Sequence, residues 1–210
     1  MKKAKVFCVC VFAVLSFLTA QLFASDIAYD NFGPDYTHAS WGSWFGARTI
    51  DPDTIYTAGT SFVSEINGYL DSLTLAIDDI HRRSNVNFNL SLFTDHQGIL
   101  GTQFWSQTFT YDFYANEVFH AEGIGGPWLN SGTKYWLVAD GTGLLPELTW
   151  RSNDQNVYGD VLLICDVPEE PFTIYENVVN RAMKVEVVVP EPATLAFLAV
   201  GAILAGRVRK

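Results

Sequence analysis

Residues 86–92 read Val-Asn-Phe-Asn-Leu-Ser-Leu, apolar and polar in strict alternation. Side chains along a β-strand point to opposite faces with period two, so this run predicts a strand with one face in a core and one in water. The same period recurs elsewhere. Leu73, Leu75 and Ile77 alternate with Thr74, Ala76 and Asp78, and Met183, Val185, Val187 and Val189 alternate with Lys184, Glu186 and Val188. Lys134–Ala139, Leu148–Arg151 and Val161–Cys165 are shorter runs rich in aromatic and β-branched residues. Phe104–Tyr111, Glu117–Ala121, Ile27–Asn31 and Ser61–Ser64 complete the expected strands. Turn chemistry separates them: Asn31-Phe32-Gly33-Pro34, Asn67-Gly68, Asp95-His96-Gln97-Gly98, Gly125-Gly126-Pro127, Ser131-Gly132 and Asp140-Gly141. Strands at this spacing predict an all-β fold, an antiparallel, jelly-roll-like β-sandwich. Leu75, Leu90, Leu92, Trp136 and Val185 are its expected core.

The two chain ends are of another kind. Met1–Lys5 carries three lysines, Val6–Leu18 is almost wholly apolar, and small residues follow at Ala20 and Ala24. That order predicts a secretory signal peptide over residues 1–24, read by the Sec export machinery. Residues 25–188 are then the exported domain, and residues 189–210 a separate C-terminal segment. Cys8 and Cys10 fall within the signal, which leaves Cys165 alone in the domain, embedded in an apolar run and expected to be buried and inert. The domain has no partner cysteine for an internal disulfide and must stand on its core.

The C-terminal segment begins with Pro190, Glu191 and Pro192, a stiff triplet with little backbone donor capacity. An uncharged stretch from Ala193 to Gly206 follows, with Leu195, Phe197, Leu198, Val200, Ile203 and Leu204, and is expected to be a membrane helix. At ~1.5 Å per residue it would span about 21 Å, short for a ~30 Å hydrocarbon core. Arg207, Arg209 and Lys210 close the chain as a basic stop that favours a cytoplasmic end. Triplet, short apolar helix and basic end together resemble the PEP-CTERM sorting signal of Gram-negative bacteria. The resemblance implies export across the inner membrane, processing by an exosortase, and a final place in the envelope, at the cell surface or in the extracellular matrix.

The exported stretch holds 22 acidic and 7 basic residues, a net charge of about −15 against −10 for the whole chain. Such a surface repels nucleic acid and carries no basic stripe, so nucleic acid is not an expected partner. The four histidines, His38, His81, His96 and His120, lack metal-site spacing, and Gly42-Ser43-Trp44-Phe45-Gly46 lacks the central serine of a nucleophile elbow. No catalytic residue and no metal ligand is assigned, and the protein is expected not to be an enzyme. Asp51-Pro52-Asp53, Asp78-Asp79 and Asp154…Asp160 could offer oxygens to a structural calcium ion, without a recognisable ligand set. No other cofactor is expected.

Aromatic residues carry the remaining signal. Trp136 and Trp150 fall in strands and are expected in the core. Trp41, Trp44 and Trp128 sit among Gly, Ser and Pro in expected loops, where exposed rings could stack on sugars. The order Tyr29-Asp30-Asn31-Phe32-Gly33, then Leu73–Ile77, Val86–Phe93 and Ser131–Val138, resembles exported β-sandwich domains of the choice-of-anchor type. That likeness implies a fold and no catalytic residues. The reading of the whole chain is an exported, non-enzymatic surface or matrix protein associated with extracellular polysaccharide. A carbohydrate-binding module is the alternative, and a glycoside-active envelope enzyme a more distant one.

Overall fold

The run at residues 86–92 lies one strand in from the edge of the larger sheet. A computed structural model describes residues 23–48, 51–79, 81–113, 118–141, 148–165 and 173–190. The predicted signal peptide, the Asp166–Pro171 stretch and the predicted C-terminal helix lie outside the described residues. Ile27–Val187 forms one compact unit, and the chain ends belong to another.

Fourteen strands are described: β1 (Phe23–Asp30), β2 (Gly42–Arg48), β3 (Asp51–Val63), β4 (Gly68–Leu75), β5 (Ile77–Asp79), β6 (Val86–His96) and β7 (Ile99–Tyr111), then β8 (Phe119–Ala121), β9 (Trp128–Leu129), β10 (Lys134–Gly141), β11 (Leu148–Arg151), β12 (Tyr158–Cys165), β13 (Thr173–Val179) and β14 (Met183–Pro190). They form two sheets in a sandwich-like arrangement. The larger runs β5-β11-β2-β3-β10-β6-β7 and the smaller β1-β14-β4-β8, with β9 also on β4. Every pair whose register is described is antiparallel. Strand β3 pairs with three strands: β2 along the stretch up to Tyr56, β10 along Thr57–Val63 and β12 along Tyr56–Thr60. From there β13 extends a branch.

In β6, Val86, Phe88, Leu90 and Leu92 are buried while Asn87, Asn89 and Ser91 face outward, as the alternation requires. The hairpin to β7 turns on Gln97 and Gly98, both at positive φ (55° and 87°), a turn whose twist suits two flanking strands. Asp95 Oδ2 accepts the Gly98 amide at 3.0 Å and fixes it. The sheets meet through aromatic rings. Phe88 of β6 lies edge-on to Phe119 of β8, centroids 5.0 Å apart, and Phe45 of β2 and Phe109 of β7 pack around the same pair. All five expected core residues, Leu75, Leu90, Leu92, Trp136 and Val185, are at most 1% exposed.

Several expectations differ in detail, among them the Asp140-Gly141 turn, which lies within β10. Leu73–Ile77 is not one strand. The chain leaves the smaller sheet after Leu75 and enters the larger at Ile77, with Ala76 bonded to the backbone of Ala182 and Arg151. Thr74 and Ala76 are therefore buried rather than solvated, and Thr74 Oγ1 bonds His120 Nδ1 at 2.8 Å. The Ser61–Ser64 run is the end of the much longer β3. Within the Glu117–Ala121 run the described strand is Phe119–Ala121. The strand β13 was not expected, because with exposed residues on both faces it has no apolar period.

Buried polar groups tie the ends of the domain together. Asn31 N donates to Met183 O (3.1 Å), its Nδ2 donates to Arg181 O (2.8 Å), and its Oδ1 accepts Met183 N (2.7 Å). The Tyr29–Gly33 motif is thus a clamp on the last strand. Arg181 is 6% exposed and donates to Ser152 and Ser43 hydroxyls. Burial lowers its guanidinium pKa to about 10.

Asp79 is fully buried and takes a bidentate bond from Arg83, whose Nε lies 2.8 Å from Oδ2, plus the amides of His81 and Arg83. Burial alone would raise its pKa, but those bonds and the guanidinium charge hold it below 3.8. Asp95 and Glu186 are held low in the same way, against burial, by Gly98, Trp136 and Lys134 and by Lys184 and Ser72. A carboxylate depressed in the folded state stabilises it above the unfolded pKa and loses that contribution as pH falls through the folded value. Asp140, raised by burial, acts in the opposite sense, alone against these three and Asp154, which its bond from Gln155 lowers. The melting temperature is expected to hold between pH 5 and pH 7 and to fall below about pH 4. Asp79→Asn should be less stable at pH 7 and show a shallower acid limb by thermal melts. An equally steep limb would remove Asp79 from the account.

Candidate functional site

The exposed aromatic residues are the first place to look for binding chemistry. Trp136 and Trp150 are fully buried, with their indole N–H groups on Asp95 Oδ1 (2.9 Å) and Ala182 O (3.1 Å). Trp41, Trp44 and Trp128 are 54%, 41% and 39% exposed. Two of the expected loop positions are strands: Trp44 is in β2, opposite Thr149 of β11, and Trp128 is in β9, opposite Tyr69 of β4. Glycines around Trp44 and the two-residue length of β9 hide both strands from a period-two reading.

The three tryptophans do not share a sheet. Trp41 and Trp44 belong to the β2 region of the larger sheet, and Trp128 to the smaller. Trp128 instead has a partner the sequence did not point to. Its ring meets Tyr69 edge-on, centroids 4.9 Å apart, and Tyr69 is 52% exposed. Trp128 Nε1 donates to Asn130 Oδ1 at 3.1 Å, and the next residue, Ser131, donates its amide to Asn67 Oδ1 at 2.9 Å. The result is an exposed aromatic step with side-chain amides beside it.

The same turn forms one wall of a cleft. Ser131 and Gly132 line a cavity of about 680 Å³ together with Tyr29, Glu65, Lys134, Tyr158, Asp160 and Asn180, among others. That volume is within the ~300–1,000 Å³ common for small-molecule sites. Tyr158 contributes a ring 57% exposed. Asn180 Nδ2 donates to the Tyr29 hydroxyl (3.1 Å) and Ser61 O (2.9 Å) and fixes the cleft floor. Lys134 is paired with Asp160 and, at 3.5 Å, with Asp95, so its charge is neutralised within the wall. Hydroxyls, amides and carboxylates around exposed rings suit an uncharged ligand rich in hydroxyl groups. Tyr69, Tyr158 and Asn180 carried no sequence signal, and Tyr29 only one for fold, because nothing local marks residues brought together from such distant segments.

Among the described residues no group of three or more His, Cys, Asp or Glu side chains could hold a metal ion. Asp78 is paired with Arg151, Asp79 with Arg83 and Asp160 with Lys134, and Asp154 accepts from Gln155 at 2.8 Å. The side chains of Asp51, Asp53 and Cys165 lie outside the description. Among the described residues no helix is long and apolar enough to cross a membrane.

The end of the domain leads to the sorting segment. Strand β14 is described as far as Pro190, a residue with no amide to offer a ladder. Glu191, Pro192, the apolar positions Ala193, Leu195, Phe197, Leu198, Val200, Ile203 and Leu204, and the basic Arg207, Arg209 and Lys210 lie outside the described residues. Their sequence was compared with known families. Residues 188–210 match the PEP-CTERM protein-sorting motif. The motif marks an exported bacterial protein that is processed by exosortase and sorted to the cell envelope or surface. PEP-CTERM matching is confined to this tail and leaves the sandwich itself unassigned. A comparison with curated proteins finds no match. A solved structure from infectious bursal disease virus, Gx strain, aligns with 89% of this chain and 48% of its own, at 11% identity and a TM-score of 0.25. The chain spans about half the length of that viral protein, and the likeness is too distant to bear on fold or function.

Proposed function

We propose that the protein is a non-enzymatic component of the cell surface or extracellular matrix, exported by a signal peptide over residues 1–24 and sorted by its tail. The observation that carries this reading is the sorting motif at residues 188–210, which fixes a destination outside the cytoplasm. The helix at Ala193–Gly206 then holds the chain in the membrane until exosortase acts, and the domain over residues 25–188 remains outside. Its strong negative charge keeps it soluble and hydrated among polymers. The finer fold reading, a jelly-roll-like domain of the choice-of-anchor type from a Gram-negative envelope, rests on the order of motifs from Tyr29 to Val138.

The glycan-binding alternative has one observation in its favour: the Trp128–Tyr69 step adjoins a cleft lined by Tyr158 and by hydroxyl and amide groups. A pyranose presents an apolar face to a ring and hydroxyls to its sides, and both surfaces are available here. One or two rings acting on a single sugar give a Kd of ~1 mM, about −4 kcal/mol. Retention on a polymer then depends on many anchored copies acting together. Affinity electrophoresis in gels containing the cell's own polysaccharide is the test. Trp128→Ala and Tyr158→Ala should each migrate faster than wild type, whereas Trp41→Ala with Trp44→Ala should not. Equal migration of all forms would leave only the matrix role, and depolymerisation of the gel polysaccharide would overturn the non-enzymatic reading itself.

A further inference from the structure

Strand β7 ends the larger sheet, and among the described residues no strand pairs with its outer edge. It is 13 residues long and has no charged residue and no proline. Proteins ordinarily protect such an edge with charge, proline or shortness, because its free N–H and C=O groups would template another strand. The lack of charge is pointed in a domain of about −15. The whole β6–β7 hairpin, Val86–Tyr111, contains one acidic residue, Asp95, and no Lys or Arg.

Irregularities in register at Leu92–Asp95 separate the hairpin tip from its base. The regular part of β7 is therefore Trp105–Tyr111, paired with Leu92–Val86. It reads Trp-Ser-Gln-Thr-Phe-Thr-Tyr and is nearly symmetric about Thr108. A second copy paired antiparallel on Thr108 would set Thr108 against Thr108, Ser106 against Thr110, Gln107 against Phe109, and Trp105 against Tyr111. Hydroxyl would meet hydroxyl on the outer face, and aromatic would meet aromatic at the ends. The outer face already carries a ladder of that chemistry. Thr110 Oγ1 donates to Asn87 Oδ1 (2.6 Å), Thr108 Oγ1 to Asn89 Oδ1 (2.6 Å), and Ser91 Oγ to Ser106 Oγ (2.9 Å). Self-pairing prolongs it across the junction without a charge on either side, and cross-strand pairs of this kind are each favourable.

We propose that the outer edge of β7 is a homotypic interface, joining two copies of this chain by antiparallel addition at Trp105–Tyr111. Like-charged domains meet there along the segment that contributes no repulsion, and two larger sheets become one. This goes beyond the matrix role and does not depend on glycan binding.

Cysteine cross-linking of the full chain on the cell surface tests it, in a Cys165→Ser background. Thr108→Cys places the two thiols directly opposite at the symmetry axis. Glu176→Cys on exposed β13 is the control, with the same tail and the same anchoring. Mild oxidation should yield covalent dimer from Thr108→Cys at least ~10-fold faster than from the control, because pairing raises the effective thiol concentration. Adding Ser106→Lys and Thr110→Lys opposes two cation pairs and should return the rate to the control value. All three positions are exposed, so the far-ultraviolet circular dichroism spectrum should remain that of wild type. A Thr108→Cys rate equal to the control, or cross-linking that survives both lysines, would overturn the proposal.

Discussion

Leu92→Asp is expected to unfold the exported domain. Leu92 is 1% exposed on β6, between Leu137 of β10 and Trp105 of β7. Removing a buried leucine costs about 2–5 kcal/mol through lost transfer energy and the cavity left behind. The one cation on the neighbouring strands, Lys134 of β10, is already paired with Asp160 and Asp95, so a carboxylate in its place adds several kcal/mol of desolvation. The total stability of a domain this size is roughly 5–15 kcal/mol, so the substitution removes most or all of it. Ser91→Asp, one residue along on the outward face, should cost less than ~1 kcal/mol, because the charge stays in water. Thermal melts followed by circular dichroism separate the two. A cooperative transition retained in Leu92→Asp, close to that of wild type, would mean that the 86–92 alternation does not face the core.

That alternation was legible because β6 is half-buried, the condition under which a strand announces itself in sequence. β14 was legible for the same reason, with Met183, Val185 and Val187 buried and Lys184 and Glu186 partly solvated. Strands in other surroundings lost the signal. Most of β3 was missed because it is paired along both edges, and its described residues Ala58, Gly59, Thr60, Ser61 and Phe62 are all buried, which leaves no polar period. β13 failed in the opposite way, being exposed on both faces. The break between β4 and β5 is a change of sheet at Ala76, and a run of buried residues looks the same whether or not the chain crosses the core. The candidate site was legible only in part. The exposure of Trp128 agrees with its Gly-Pro context, but its pairing with Tyr69 and the convergence of Tyr29, Tyr158 and Asn180 are products of pairing between distant strands.

The second large effect is expected at the tail. Replacing Pro190 and Pro192 with alanine should leave export intact and abolish exosortase processing. Pro190 is the last described residue of β14 and brings no amide to a ladder. Alanine restores a donor there and at residue 192, so the strand can run on into the triplet and remove the stiff break that the motif presents. The effect on folding is expected to be small, because the core residues of β14, Met183, Val185 and Val187, are untouched. The variant should therefore accumulate outside the cytoplasm as a folded, membrane-held precursor. Loss of the protein altogether would place the prolines in folding rather than sorting.

The sorting claim is central to this account, since it alone fixes where the acidic sandwich works. The most direct test is the intact mass of the exported protein from cells with and without the exosortase. The account predicts a chain shortened at its C-terminus when the enzyme is present and a full-length C-terminus when it is absent, with the double alanine variant full-length in both. A wild-type protein of the same mass in both cells would contradict it and leave residues 193–206 as a plain membrane anchor.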